Sequence, residues 1–415
     1  MTTSSDSTRG RGLRSRPRVA AFGAAGAVAA LVVGGALYAG TGTAGDPREG
    51  NALVRDWSAR SSGQQVLGGV RTPGVPTVQR LRHDDVELTV TIAPARPGPN
   101  LVRVDSTPVG TGHEHHHSLP VLVGTSEHDL VRARPRPGTD GLWAVVDLPA
   151  GTGTVLVTHG PRHRVPFAVE TGTTTPDAGS WTGPDGPECL AATTGSLLAG
   201  GAPSAGCPAD SLSSADATAL RSVVDTLATR GVEQLAVQHD GSVRSRSAYD
   251  VVRRTATGAG LRVVEPGARP GSRSALMVVS GWADAARSLR RVTALPLEQQ
   301  PLRSDGTWLA PWLLSPAVVD STEGAVLPLD FDIRDAGAQE YSQTLAKFLP
   351  SQSPTASGFR AWRAGHGDHA DALELFAASR AAIMPAAGRH DHHETVVSWF
   401  PGGTVTPVGS PTPAN

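Results

Sequence analysis

The sequence predicts a multidomain chain with a transmembrane helix near the N-terminus, an antiparallel β-sandwich after it, and an α/β domain with a mostly parallel sheet. Three observations carry this expectation. An uncharged run from Val19 to Gly40 follows five arginines; apolar and polar residues alternate in short runs from Asp85; and from Asp210 helical spacing and short apolar strands take turns. At 415 residues the chain has room for two domains and tails.

Residues 1–18 form a basic tail with Arg9, Arg11, Arg14, Arg16 and Arg18, and residues 19–40 are about long enough to cross a bilayer as a helix. Arginines stay on the cytoplasmic side, which places everything after Ala44 outside the cell membrane. A cleaved signal peptide is the competing reading. The positions near Ala39 and Ala44 lack a clean A-x-A pattern, and no cysteine follows that could carry lipid. The expectation is an uncleaved anchor, with the membrane as partner through the N-terminal helix and the bulk of the chain extracytoplasmic. Residues 41–82 read as a tether, with a short helix over Asn51–Arg60 and Gly and Pro from Gly63 to Pro76.

Residues 83–171 are the expected sandwich. Val86, Leu88, Val90 and Ile92 alternate with Glu87, Thr89 and Thr91, which puts the apolar set inward and the polar set outward. Leu101–Asp105, Leu119–Val123, Leu130–Ala133, Leu142–Leu148, Thr154–Thr158 and Val165–Val169 follow. Seven short strands with Gly/Pro turns suggest an Ig-like antiparallel sandwich. The segments VELTVTIAPARPGPNLVRVD and DGLWAVVDLPAGTGTVLVTHG resemble the small sandwich domains of bacterial copper-resistance and copper-uptake membrane proteins, through the turn made by Pro94, Pro97, Gly98 and Asn100. The resemblance covers roughly 90 residues and implies a role near copper outside the cytoplasm. It transfers no ligand.

Residues 172–188 read as a linker, 189–400 as the α/β domain and 401–415 as a disordered tail. Cys189 and Cys207, 18 positions apart in a Gly/Pro/Ala-rich segment, most simply form one disulfide in an oxidising compartment; a thiolate metal site is the alternative. Asp210–Arg230 has helical spacing, with Ser211 or Ser213 as cap and Leu220, Val223, Val224 and Leu227 on one face. Gln234–Gln238 is a strand, Ser242–Thr257 a helix, Leu261–Val264 and Ala275–Ser280 strands, and Ala283–Arg291 a helix. This is a βαβ pattern. Asp368–Ala382 reads as an amphipathic helix with Leu373, Phe376 and Ala377 inward.

This second half resembles one lobe of type I periplasmic solute-binding proteins, through Asp240 at a strand end, the helix Ser242–Thr257, and Tyr341, Leu345, Gly358 and Phe359. The first lobe has no room before Cys189, so one wall of a ligand cleft is missing. Ligands of such sheets bind at the carboxyl ends of the strands, which makes His239, Asp240, Trp282 and Trp312 the candidate ligand-binding residues, with Ser280 and Gly281 beside them. Ordinary core is the alternative for both tryptophans, and a capped turn for His239–Asp240.

Two imidazole clusters attract a metal reading. His113, His115, His116 and His117 surround Glu114; His390, His392 and His393 lie beside Asp391 and Glu394; His366 and His369 precede the second cluster. Together they hold nine of the fourteen histidines. Histidine-rich tracts bind divalent metals, and imidazole sites favour Cu(II), with Zn(II) close behind. A solvated polar loop is the plain alternative. With only Met1, Met277 and Met384 available, a thioether Cu(I) site has little support. No P-loop or G-x-S-x-G elbow is present, and His113–His117, which matches H-E-x-x-H, lies in a loop context and not on a helix, so the chain is not expected to be an enzyme. A net charge of −1 offers no basic field for nucleic acid. The first expectation is therefore an exported, membrane-tethered protein handling a copper or zinc ion in metal homeostasis or delivery, with a membrane metal transporter as candidate partner. The alternative is a solute-sensing or protein-interaction module built on a half periplasmic-binding fold.

Overall fold

Nine strands come first in the computed structural model, which describes residues 61–66, 72–83, 86–108, 120–160, 163–174, 179–201, 206–380, 399 and 403–411. They are β1 (Ser61–Val66), β2 (Thr77–His83), β3 (Val86–Ala93), β4 (Gly98–Pro108), β5 (Val121–Gly124), β6 (Val131–Arg132), β7 (Leu142–Leu148), β8 (Thr152–His159) and β9 (His163–Glu170). One antiparallel sheet runs β1-β2-β3-β4-β7 and a second β6-β5-β8-β9. Leu88, Val90, Ile92, Val102 and Val104 of the first share a core with Val155, Val157, Val165, Phe167 and Val169 of the second. The expected solvated face of β3 is covered: Thr89 and Thr91 are only 5% and 1% exposed. On that side of the sheet Ala93, Leu101 and Trp143 pack with Trp181, Cys189, Leu190 and Cys207, all from the following segment.

The second half begins with helix α1 (Gly186–Leu198) and α2 (Ser214–Thr229). Strand β10 (Gln234–Gln238), α3 (Val243–Gly258), β11 (Arg262–Val264), β12 (Ser274–Val278), α4 (Trp282–Thr293), β13 (Thr307–Leu309), the short α5 (Pro316–Val319) and β14 (Ala325–Leu329) follow. Helices α6 (Ala336–Phe348) and α7 (Ala356–Gly365) and strands β15 (Glu374–Arg380) and β16 (Gly403–Gly409) complete it. The sheet order is β11-β10-β12-β13-β14-β15-β16, parallel from β11 to β14 and antiparallel over the last two pairs. Side chains cap three of the helices: Ser213 accepts from Asp216 N–H, Ser242 from Ser245 N–H and Thr355 from Gly358 N–H. Leu220, Val223, Val224 and Leu227 of α2 and Ala248, Val252 and Ala256 of α3 bury one face each in a single large core. Phe331, Tyr341, Phe359, Trp362 and Trp399 form an aromatic cluster in it, with ring centroids such as Phe331–Phe359 4.7 Å and Tyr341–Trp399 5.9 Å apart. Among the described residues β16 is the outer strand on its side of the sheet, and it carries Pro407.

Several expectations are corrected. Among the described residues no helix is long and apolar enough to cross a membrane; the run 19–40 lies outside them, so the transmembrane fold class and the membrane as partner through an N-terminal helix have no support. The plan of a free-standing Ig-like sandwich and a separate α/β domain also gives way. Leu53–Asn415 cluster as one compact unit, and β3, β4 and β7 pack directly on the segment that opens the α/β part. The tether over 41–82 holds β1 and β2, and the tail over 401–415 holds β16. The helix expected over Asp368–Ala382 is strand β15 instead, paired on both sides with β14 and β16; a central place in the sheet overrides the helical preference of its alanines. Cys189 and Cys207 are joined by a disulfide.

Candidate functional site

The carboxyl ends of β10, β12 and β13 converge, and the chain itself covers them. After β10 the backbone turns through His239, Asp240 and Gly241 into α3, so Arg244 stands in the first turn of that helix. After β12 it passes Ser280 and Gly281 into α4. The sequence Asp185-Gly186-Pro187-Glu188 starts α1, with proline in the first turn, where a missing N–H costs nothing. This start sits against both strand ends.

Two carboxylates of α1 occupy the site. Glu188 is wholly buried. Its Oε1 accepts from Arg244 Nη1 at 2.7 Å and from Ser357 Oγ at 2.7 Å, and its Oε2 accepts from Arg244 Nη2 at 2.6 Å. This two-point grip suits a planar guanidinium. Arg244 Nη1 also donates to the Pro208 carbonyl at 3.3 Å, and the guanidinium lies over the Trp312 ring, 4.6 Å from its centroid. Burial alone would lower the Arg244 pKa; the charge and hydrogen bonds of Glu188, with Asp185 and Asp216 beyond, hold it above its ordinary value. Asp185 Oδ1 accepts from Ala283 N–H at 3.3 Å, at the N-terminus of α4, where the helix dipole favours a carboxylate. Gly281 leaves the space: a Cβ there would stand 1.9 Å from Asp185 Oδ2. Burial, joined by the Glu188 charge, pushes Asp185 up to about 6, against the Ala283 N–H and Arg244; Asp240 adds to the rise.

The expected ligand residues gather here in different roles. Asp240 accepts from Gly281 N–H at 2.7 Å and Ser242 N–H at 2.8 Å. Burial would raise its pKa, and these bonds with those of Ser245 bring it below the ordinary value. His239 is half-buried, its ring centroid 4.3 Å from that of Tyr249. Trp282 and Trp312 belong to the packed core, 2% and 1% exposed. Trp282 Nε1 donates to the Trp312 carbonyl at 2.7 Å and Trp312 Nε1 to the Ser280 carbonyl at 3.0 Å, so both indoles brace the loops between strands. The sequence reading missed Asp185, Glu188, Arg244 and Ser357. The signal available was the Asp-Gly-Pro-Glu helix start, inside a segment read as a linker.

The strand-rich half closes the same edge. Gly138, at φ +80°, brings its backbone so near Trp282 that a Cβ would stand 2.4 Å from the Trp282 carbonyl oxygen. Ser315 Oγ donates to the Gly138 carbonyl at 3.4 Å, and Arg136 Nη1 donates to that of Gly183 at 2.6 Å. Ser353 Oγ donates to Asp140 at 2.7 Å, and Arg103, paired with Asp105 at 2.9 Å, reaches the Ser351 carbonyl at 3.3 Å. A narrow cleft remains along this junction, lined by Arg103, Asp140, Trp282, Tyr341 and Thr355.

The metal reading is corrected. Among the described residues no group of three or more His, Cys, Asp or Glu side chains could hold a metal ion. His366 caps the end of α7, with Nδ1 2.9 Å from the Trp362 carbonyl and its ring 4.1 Å from the Trp362 ring. His369 lies exposed in the loop before β15. His113, His115, His116, His117, His390, His392 and His393 lie outside the described residues.

No protein-family profile matches the chain, and no characterised protein sequence matches it. Its structure neighbours include solute-binding proteins of ABC transporters. One is from R. palustris in complex with benzoate, at 10% identity and TM-score 0.34, covering 48% of this chain and 64% of that one. Another is a branched chain amino acid ABC transporter periplasmic ligand-binding protein from Burkholderia xenovorans LB400, at 11% identity and TM-score 0.32, covering 46% and 63%. A third is from Rhodopseudomonas palustris BisB5 in complex with 3,4-dihydroxy benzoic acid, at 12% identity and TM-score 0.33, covering 48% and 66%. The chain spans less than two thirds of each of these proteins.

Proposed function

We propose that the chain is an extracytoplasmic solute-sensing module built on one lobe of the solute-binding type, with its ligand edge held closed by its own chain. The observation that carries this reading is the occupation of the strand carboxyl ends by Asp185 and Glu188 of α1. A lobe of this kind meets ligand at those ends; here a tethered segment and the Gly138 loop stand there instead. An occupied edge suits a sensor, because a solute acts by shifting the balance between a closed and an opened state. The Cys189–Cys207 disulfide supports an oxidising compartment.

The test is a titration of the full chain with benzoate, 3,4-dihydroxybenzoate and leucine, the kinds of solute named for its neighbours, with amide hydrogen exchange followed on α1. The expected result is weak binding accompanied by faster exchange in Pro187–Leu198. Tight binding with α1 exchange unchanged would describe an open carrier and overturn the reading. No response to any solute would overturn it as well.

A further inference from the structure

Among the described residues Arg244 is the guanidinium that grips Glu188, and its surroundings hold a carboxylate on both oxygens. It is 3% exposed, its two terminal nitrogens point at one carboxylate, Ser357 adds a hydroxyl donor to that carboxylate, and the Trp312 ring backs the cation. Glu188 reaches this seat from a helix fixed by a separate device. Cys189, the next residue, is bonded to Cys207, and Pro208, the residue after that, gives its carbonyl to Arg244. The disulfide thus holds the occupant and its receptor together across a span of 18 residues. We propose that Arg244, backed by Trp312, and Ser357 form a receptor site for an external organic carboxylate, that Glu188 is its tethered internal occupant, and that the Cys189–Cys207 bond keeps that occupant in place.

The chemistry follows from the donor set. Two parallel N–H donors and one hydroxyl match the two oxygens of a carboxylate, and the Trp312 ring on the far side of the guanidinium holds the fork in place. A tethered carboxylate competes at high effective concentration, so a free acid takes the seat weakly in the native protein and far better when the tether is loosened or its carboxylate is missing. This inference rests on the sensing reading above and names the ligand group and the lock on that same edge.

The experiment uses the full chain and acetate as probe, against chloride at matched ionic strength. Glu188→Ala is expected to melt lower than the native protein and to regain about 2–4 °C in acetate, saturably. The native protein and the double variant Glu188→Ala/Arg244→Met are expected to gain nothing. An equal gain in chloride, or in the double variant, would overturn the proposal. Should Glu188→Ala fail to fold, Cys189→Ser/Cys207→Ser keeps Glu188 and frees the helix. In that variant acetate is expected to speed hydrogen exchange of the α1 amides about tenfold; unchanged exchange would overturn the proposal. The two readings fail differently. If solutes loosen α1 equally well in Arg244→Met, sensing stands and this site falls. If acetate rescues Glu188→Ala while no solute acts on the native protein, the site stands and sensing falls.

Discussion

The charge of Asp185 sits uncomfortably in the folded molecule. Its pKa is about 6 in the folded chain against 3.8 ordinarily, so the folded state binds an extra proton between those values. The stability this contributes is complete below pH 4 and is lost as pH rises through 6. Asp240 and Asp330 act in the opposite sense: hydrogen bonds lower the first, and Arg360 and Arg363 the second, against burial that would raise both. Their contribution is present above pH 4 and fails below it. Between pH 4.5 and 7.5 Asp185 therefore dominates among these three. Asp185→Asn keeps an oxygen to accept from Ala283 N–H and loses the charge. Its melting temperature relative to native is expected to rise from pH 4.5 to 7.5, with a change in stability of at most about 3 kcal/mol. A difference that stays flat across that range would remove Asp185 as the group responsible. Glu188 and Arg244 make the second case at this scale. Removing one partner of a buried ion pair costs about 3–5 kcal/mol, whereas replacing both by apolar residues of similar volume is often neutral. Glu188→Leu/Arg244→Met is expected to melt closer to native than Arg244→Met alone, as followed by circular dichroism.

At the scale of elements, α1 is held by the disulfide, the Asp185–Ala283 bond, the Glu188–Arg244 pair and the Ser357 hydroxyl on Glu188, four ties from four different partners. Gly281→Ala tests the second tie directly, because the added methyl occupies the place of the Asp185 carboxylate. The variant is expected to protect the α1 amides less against hydrogen exchange while the sheet amides of β10 and β12 keep their protection. The helices α2, α3 and α4 were legible in the sequence because each has a serine or glycine start and an apolar face of period 3.6. Strand β15 was not. Its Leu375, Phe376 and Ala378 fit a helical face as well as a strand face, and only the partners on either side decide between them. The start of α1 was hidden for a different reason: Pro184, Gly186 and Pro187 have the composition of a linker, and the carboxylates among them acquire meaning only through Arg244 and Ala283, far along the chain.

Over the whole molecule, the strand-rich half and the α/β half share more than a linker. The contacts of Gly138 with Trp282, Arg136 with Gly183, and Arg103 with Ser351 span the junction, and Leu101 and Trp143 pack with Trp181 and Leu190. A single calorimetric unfolding transition is expected, with two resolved transitions as the contrary result. Gly138→Ala combines a strained φ with a clash against the Trp282 carbonyl and is expected to split or broaden that transition. The sequence made the individual strand runs and the parallel α/β pattern readable, since both depend on local periodicity. It did not reveal that the two halves meet, because the polar part of the junction is a glycine, backbone carbonyls and arginines that look solvated when read locally, and Leu101 and Trp143 read as ordinary strand residues.

The proline in the last strand has a consequence for how these molecules behave when crowded. A bare strand at the margin of a sheet is a template on which another chain can grow, through its row of unused amide hydrogens. Pro407 has no amide hydrogen to offer from β16, so the margin formed by this strand among the described residues is a poorer template for such growth.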